Sequence, residues 1–244
     1  MKSIPKANTQ KNVNQVVYES LVSKLEFGSA DKLLVDAPCG NGEFAKFLRD
    51  KYPNLEIKAV DLFTEVADTN IQFYKLSAHD FFALQKPASA DFITCISGVM
   101  CFDGIPNLIT LFFKALRPSG TLVLTNDNIM TMRDRLHFLF FGHFKRFKLL
   151  YSINEGNWNI VLPQAIVSLL QENGFKNIRI KYTSVYAEDL LFLPLAILVY
   201  PIFALYLLLR KSHLSIGERF ELFPFQSLIS RHYVITSEKI HLTN

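Results

Sequence analysis

Short apolar stretches alternate with amphipathic ones along most of the chain. The apolar stretches predict seven strands: Lys32–Ala37, Glu56–Val60, Ile71–Leu76, Phe92–Ser97, Thr121–Thr125, Asn177–Ser184 and His232–Ser237. A period near 3.6 residues predicts four helices: Val13–Phe27, Gly42–Lys51, Pro106–Leu116 and Pro163–Asn173. Strands that alternate with helices in this way are typical of a parallel sheet covered on both faces. The pattern therefore predicts an α/β fold.

Two segments depart from this alternation. Arg133–Lys148 mixes five phenylalanines with five lysines and arginines. Leu190–Leu209 is a run of twenty residues without a charge, with Glu188 and Asp189 before it and Arg210 and Lys211 after it. At about 1.5 Å per residue, a helix of that length is long enough to cross a bilayer. We therefore divide the chain into a core (1–189), a hydrophobic insert (190–230) and a last strand with the C-terminus (231–244).

Composition narrows the class of protein. The 244 residues are 50% hydrophobic and 20% charged, which excludes a disordered chain. A net charge of +4 is too small to indicate nucleic-acid binding. Cys39, Cys95 and Cys101 lack the spacing of metal ligands, so we expect reduced thiols and no metal site. Residues 1–14 are expected to form a polar arm without the apolar core of a signal peptide, which favours a cytoplasmic location.

The sharpest motif follows the first predicted strand and opens a helix. It reads Val-Asp-Ala-Pro-Cys-Gly-Asn-Gly-Glu over residues 35–43. A glycine turn lets a ligand approach the backbone, and the helix N-terminus supplies N–H donors. The acid at the strand end, Asp36, would repel a pyrophosphate but suits a cation. This charge argument favours S-adenosylmethionine, which carries a sulfonium and an amino group, over a dinucleotide.

At these residues the sequence resembles the Rossmann-like (class I) S-adenosylmethionine-dependent methyltransferases, over about residues 30–185 and the last strand. The resemblance implies a seven-stranded, mostly parallel sheet with helices on both faces, here with the hydrophobic insert before the last strand. It implies that Asp36, Gly40 and Gly42 hold the methionine part of the cofactor. It also implies that Asp61, followed by Leu62, binds the ribose hydroxyls.

The same resemblance assigns residues around the adenine and the sulfonium. Asp80 would accept from the adenine amine and Phe81 would contact the ring face, whereas Ser97 and Gly98 would line the sulfonium. The chain departs from the family pattern at Pro38, which replaces a glycine, and at residues 62–70, where a loop is expected in place of a helix.

The methyl acceptor is indicated only by class. No Asn/Asp-Pro-Pro-Tyr/Phe motif follows the fourth strand, which in methyltransferases resembling this one disfavours exocyclic amines of bases and glutamine amides. A small molecule, sugar, quinone or lipid is favoured. The candidate bases are His137, His143 and Asp127, with His79 as a further possibility. The alternatives are surface histidines and, for Asp127, a turn cap.

The insert is predicted to touch a membrane without crossing it. If the two last strands pair in one sheet, the chain must leave and return on the same side, and residues 210–230 are too charged for a second span. We therefore expect a kinked, re-entrant or in-plane element. Phe138, Phe141 and Phe144 would enter the acyl chains, and the basic residues would meet headgroups of the inner leaflet; these are Arg133, Arg135, Lys145, Arg146 and Lys148.

The predicted function is methyl transfer to an amphipathic acceptor, such as a lipid, glycolipid or prenylated ring, by a peripheral or monotopic protein. Two alternatives remain open. In one, the apolar segments form a buried lid or a dimer interface of a methyltransferase that acts on a soluble small molecule. In the other, the protein binds S-adenosylmethionine at a membrane without catalysis.

Overall fold

The computed structural model describes residues 4–5, 12–26, 32–66, 68, 70–150 and 159–240. The helices are α1 (Val13–Glu26), α2 (Glu43–Lys51), α3 (Ala78–Leu84), α4 (Ile105–Ala115), α5 (Met132–Phe141), α6 (Pro163–Glu172), α7 (Leu193–Leu209) and α8 (Ile216–Leu222). The strands are β1 (Lys32–Asp36), β2 (Leu55–Val60), β3 (Gln72–Tyr74), β4 (Ala90–Cys95), β5 (Leu116–Asp127), β6 (Phe175–Thr183) and β7 (His232–Lys239). Short 3₁₀ turns cover Val99–Cys101, Ala187–Phe192 and Phe225–Leu228.

The seven strands form one sheet in the order β3-β2-β1-β4-β5-β7-β6. All neighbouring pairs from β3 to β5 are parallel, whereas β7 is antiparallel to both β5 and β6. The parallel strands place their carboxyl ends at one edge of the sheet, which is where ligands bind in open α/β folds. The start of β7 lies at that same edge because its direction is reversed.

Helices cover both faces of the sheet, as predicted. Side chains of α1 and α2 pack with Leu34, Ile57 and Val123 on one face. Side chains of α3, α4 and α6 pack with Val35 and Ile93 on the other face. Burial of the central strands on both sides explains why they are apolar at successive positions.

The predicted strands and helices are confirmed to within a few residues apart from the start of β5, but the helices α3, α5 and α8 were not predicted. Ser77 caps α3 by accepting from the amide of Asp80. The turn at Pro118–Gly120 bulges from an unbroken β5, so that Leu116 pairs with Ala90 and Thr121 with Phe92. Residues 62–70 contain no helix in their described part, as expected. The predicted polar arm lies largely outside the described residues.

The chain leaves the sheet at the end of β6 and returns to it at the start of β7, and these two points are adjacent. Thr183 pairs with His232, and the amide of Arg231 donates to the carbonyl of Ser184 (3.1 Å). Pro194 lies in the first turn of α7, where a missing N–H costs nothing, whereas Pro201 lies inside the helix. Ala187–Leu209 is apolar and long enough to cross a membrane, with a mean hydropathy of 2.4 and 11% of its best window buried.

Candidate functional site

The turn between β1 and α2 lies at the carboxyl edge of the sheet, where open α/β folds bind ligands in a cleft. Gly40 and Gly42 have φ of 55° and 75°, which are left-handed values that glycine adopts without strain. A Cβ on Gly42 would lie 2.8 Å from a methyl of Val66. Both the backbone conformation and the close approach therefore require glycine at residue 42.

Asp36 ends β1 below this turn and is almost fully buried. Its Oδ1 accepts a hydrogen bond from the hydroxyl of Thr94 at 2.7 Å. Burial raises the pKa of the Asp36 carboxyl to about 7, the Thr94 hydrogen bond opposes this, and the nearby Asp61 adds to it. A cation bound at Asp36 would relieve that unfavourable burial.

Asp61 follows β2 and joins two loops of the cleft. Its Oδ2 accepts from the amide of Gly40 at 2.9 Å. Its Oδ1 accepts from the amides of Phe63 and Thr64 at 2.9 and 2.8 Å. The neighbouring Leu62 is half-exposed at the rim. Since each carboxylate oxygen has two lone pairs, Oδ2 retains acceptor capacity for a ligand hydroxyl.

The loop after β4 forms the other wall of the cleft. Ser97 has a positive φ of 53°, and its amide donates to the hydroxyl of Thr125 on β5 at 2.7 Å. A Cβ on Gly98 would lie 2.2 Å from Cδ of Pro38. The Ser97–Gly98 loop therefore packs directly on the β1–α2 turn, and the cofactor roles of these residues stay predictions.

Asp80 and Phe81 lie in the first turn of α3. Asp80 is exposed, and its Oδ2 accepts from the hydroxyl of Ser77 at 2.6 Å. Phe81 is buried, and its ring meets those of Tyr74 and Phe82 edge-on at centroid distances of 5.0 and 5.3 Å. Both residues serve the fold in these positions, and their roles toward adenine stay predictions.

A second set of polar groups lies at the same edge, at the end of β5. Asp127 pairs with Nε2 of His232 at 3.1 Å and with Nη1 of Arg146 at 3.4 Å. Burial would raise the pKa of Asp127, but the His232 hydrogen bond and the charge of Arg146 outweigh it and hold the pKa below its usual value. Asp127 is therefore a paired carboxylate rather than a turn cap.

Arg146 extends this pair into a buried ion network. Its Nη2 lies 2.8 Å from Oδ2 of Asp134, which is fully buried on α5. Arg133 lies within 4 Å of Asp134, Glu188 and Asp189, and Arg231 contacts Glu188 and Asp189. The expectation that Arg133 and Arg146 meet lipid headgroups is wrong, because their side chains are 7% and 8% exposed and bind carboxylates inside the protein.

The other candidate bases contact backbone carbonyls. Nδ1 of His137 is 2.8 Å from the carbonyl of His143, and the two rings meet edge-on at 4.6 Å. Nδ1 of His143 is 3.2 Å from the carbonyl of Phe141. Nε2 of His79 is 3.3 Å from the carbonyl of Gly104. Catalytic roles for these histidines stay predictions.

Sequence reasoning missed His232, Thr94 and Thr125. None belongs to a motif, because each acquires its partner only across the sheet. His232 was included only as the first residue of a predicted strand, and no sequence signal sets its register opposite Asp127. Cys39, Cys95 and Cys101 are free thiols, as expected.

The arrangement at β1, β2 and β4 suits a cationic ligand with hydroxyl groups. Asp36 and Asp61 form no ion pair with any of the lysines, arginines and histidines that the structure describes. Two acids without a counter-charge, beside a left-handed glycine turn, fit the amino and sulfonium groups and the ribose of S-adenosylmethionine.

Comparisons with known proteins agree with this assignment. A family model described as a methyltransferase domain matches residues 12–180, which is more than half of the chain. A search of curated proteins finds no match. Among solved structures, an S-adenosylmethionine-dependent methyltransferase from Archaeoglobus fulgidus has a TM-score of 0.60 at 16% identity, with 93% of this chain and 94% of that chain covered.

Two further structures share the fold. Phosphoethanolamine N-methyltransferase 2 from Haemonchus contortus has a TM-score of 0.59 at 13% identity, with 98% of this chain and 55% of that chain covered. Geranyl diphosphate C-methyltransferase from Streptomyces coelicolor has a TM-score of 0.52 at 14% identity, with 93% and 79% covered. This chain thus spans about half of the Haemonchus protein.

Four observations point to one family: the glycine turn, the acids at successive strand ends, the strand order and the family match. The chain belongs to the class I S-adenosylmethionine-dependent methyltransferases, and S-adenosylmethionine is its cofactor.

Proposed function

We propose that this methyltransferase acts on an amphipathic acceptor at a membrane surface, with α7 lying in the plane of the membrane. The observation that carries the proposal is the exposed apolar surface of α7. The large side chains on its outer faces are half to three-quarters exposed; they are Ile197, Leu198, Ile202, Leu205, Tyr206, Leu208 and Leu209. Burying one such side chain in lipid contributes about 1 kcal/mol or more.

One narrow stripe of α7 attaches it to the protein along its length. Ala196 and Leu207 are buried, Tyr200 contacts Phe225 at a centroid distance of 5.4 Å, and Phe203 contacts Phe223 at 5.9 Å. Residues at these spacings share one helix face. The other faces are left for a partner, and the small buried share of α7 disfavours the alternative of a buried lid.

Charged groups along the docked stripe favour an in-plane helix over a spanning one. The guanidinium of Arg135 lies 5.2 Å from the ring centroid of Phe203, in the middle of α7. Nη1 of Arg219 donates to the carbonyl of Leu207 at 2.8 Å. A spanning orientation would bring the first of these charges to the bilayer centre, where an arginine costs at least about 2.5 kcal/mol.

The end of α5 adds a second apolar surface. Phe138, Leu139, Phe140 and Phe141 are about half to three-quarters exposed. Phe144, predicted to enter lipid with Phe138, instead stacks on the Phe138 ring at 4.8 Å and is half-buried. The exposed Lys145, Arg210 and Lys211 suit anionic headgroups.

The buried ion network ties this apolar surface to the catalytic edge. Glu188 and Asp189, at the root of α7, pair with Arg231, which adjoins His232 on β7. S-adenosylmethionine supplies an activated methyl group at that edge, so a lipid-like acceptor held by α5 and α7 would approach it from the membrane. The Streptomyces structure contains geranyl diphosphate, a prenyl acceptor, and the Haemonchus structure contains a phosphorylated amine.

Vesicle flotation tests the proposal. We expect the wild type to float with vesicles that contain phosphatidylglycerol, and the double variant Leu198→Glu/Ile202→Glu to remain at the bottom of the gradient. The matched control is Leu84→Glu, because Leu84 is 81% exposed on α3, outside the insertion. Equal flotation of all three proteins, or none by the wild type, contradicts the membrane proposal.

A transfer assay tests the acceptor class. We expect tritium from methyl-labelled S-adenosylmethionine to enter the lipid fraction of a cell extract. Label confined to the aqueous fraction would select the soluble acceptor. A dimer in solution that shields the Leu198–Ile202 face would instead identify that face as a subunit interface.

A further inference from the structure

The start of β7 places a histidine directly opposite the acid that ends β5. Asp127 and His232 are register partners of the antiparallel pair, and Nε2 of His232 lies 3.1 Å from Oδ1 of Asp127. The side chain of His232 is 6% exposed and that of Asp127 is 19% exposed. The imidazole is therefore held in one orientation by a carboxylate whose edge still reaches solvent.

The second ring nitrogen of His232 is unsatisfied within the part of the chain that the structure describes. Nδ1 is buried and forms no hydrogen bond with the described residues. Because Asp127 accepts from Nε2, the proton of the neutral ring belongs on Nε2 and the lone pair on Nδ1. A buried acceptor that the fold does not satisfy requires another explanation.

Several charged and titratable groups surround the Asp127–His232 pair. Asp127 also pairs with Arg146, and Arg146 with the buried Asp134. Other titratable groups near the pair are Cys101, whose pKa is raised by burial and then by Asp127, and Tyr186 and Tyr233, whose pKa values are raised mainly by burial. Arg231 precedes His232 but is bound to Glu188 and Asp189. Asp127 thus supplies a fixed negative charge beside the ring.

The pair lies close to the cofactor side of the cleft. Thr125 is two residues before Asp127 on β5, so the two side chains share one face of the sheet at about 7 Å. The hydroxyl of Thr125 accepts from the amide of Ser97, in the loop assigned to the sulfonium.

We propose that His232 is the general base of the methyl transfer and that Asp127 is its positioning residue. A hydroxyl, an ammonium or a carbon acid loses a proton when it is methylated. As the acceptor atom forms its bond to the methyl carbon, the carbon–sulfur bond breaks and its electron pair stays on sulfur. The step requires that acceptor binding opens access to Nδ1, which is buried in the free protein. The acceptor's proton then passes to Nδ1 of His232, Asp127 stabilises the imidazolium, and the proton leaves to water.

The variant His232→Gln separates this chemistry from a structural role. Glutamine can place its amide nitrogen near the position of Nε2 and donate to Asp127, but it has no titratable base. We expect S-adenosylhomocysteine affinity within twofold of wild type by calorimetry and methyl transfer to total cell extract at least about 100-fold slower. The wild-type rate should depend on pH, and the variant should lack that dependence. The exposed His213→Gln is the control.

Nitrogen NMR of the wild type provides a readout that needs no acceptor and no variant. With S-adenosylhomocysteine bound at pH 8, we expect the His232 signals of a neutral ring protonated on Nε2. A proton on Nδ1, or an imidazolium at that pH, overturns the proposal. So does a His232→Gln protein that transfers methyl groups at the wild-type rate with an unchanged pH profile.

Discussion

The carboxyl edge of the sheet carries two groups of buried acids with opposite surroundings. Near β1 and β2, Asp36 and Asp61 accept hydrogen bonds from backbone amides and a hydroxyl within the described residues. The two carboxylates also repel each other electrostatically. Near β5, Asp127 and Asp134 are paired with Arg146 and His232. The first group leaves its negative charge for a ligand to balance, whereas the second is balanced within the protein.

The difference teaches how to separate ligand-binding acids from structural ones. An acid buried without a counter-charge destabilises the free protein, so its presence indicates a missing cation. An acid within a closed ion network stabilises the fold only while all partners remain. Removal of one acid from each group should therefore have opposite consequences for stability.

The largest expected effect is a loss of stability when an acid is removed from the ion-paired group near β5. Asp134→Ala leaves the nearly buried Arg146 and Arg133 without one of their carboxylates. Breaking a buried pair in this way should lower the free energy of unfolding by about 3–5 kcal/mol, measured by urea denaturation. Glu65→Gln, which breaks an exposed pair with Lys75, is the control and should change little. Equal stability of the two variants would contradict the network's role.

The next largest effect is a loss of cofactor affinity when the charge of Asp36, in the group near β1 and β2, is removed. Asp36→Asn keeps an acceptor for the Thr94 hydroxyl but removes the charge that should hold the cationic cofactor. We expect the affinity for S-adenosylmethionine to fall by about 100-fold, measured by calorimetry, since truncating a buried charge pair costs about 2–5 kcal/mol. Glu56→Gln on the exposed face of β2 is the charge-matched control. Unchanged affinity in Asp36→Asn would remove the basis of the cofactor assignment.

The smallest expected effect is a dependence of the cofactor affinity on pH. With a pKa of about 7 in the free protein, about nine-tenths of Asp36 is ionised at pH 8 and about one-tenth at pH 6. The cofactor requires the ionised form, so its affinity should weaken about tenfold from pH 8 to pH 6, and the Asn variant should lack this slope. A flat profile for the wild type would contradict the assignment.

The stability of the free protein should change with pH in the opposite direction to the cofactor affinity. The pKa of Asp36 is raised on folding, so the folded state binds more protons than the unfolded state between about pH 4 and pH 7. Its contribution to stability is therefore present at low pH and lost as pH rises through about 7. In thermal melts, Asp36→Asn should be more stable than the wild type at pH 8, and the difference should vanish near pH 4.

The sequence predicted the placement of the side chains near β1 and β2 better than that of the side chains near β5. Asp36, Gly40 and Gly42 are close along the chain, and Asp61 ends the next strand, so strand pattern and local turn chemistry suffice to bring them together. Arg133 and Arg146 were assigned to headgroups because their neighbours are phenylalanines. Their true partners, Asp134, Glu188 and Asp127, come from separate elements.

The sequence by itself determined the alternation of strands and helices, the glycine turn with its acid, and the apolar insertion, because periodicity and turn residues are local properties. Only the tertiary structure decided that Asp127 faces His232, that two arginines lie inside the protein, and which stripe of α7 is covered. Those outcomes depend on the register of an antiparallel strand and on which charges meet when distant segments pack, and no local pattern encodes either.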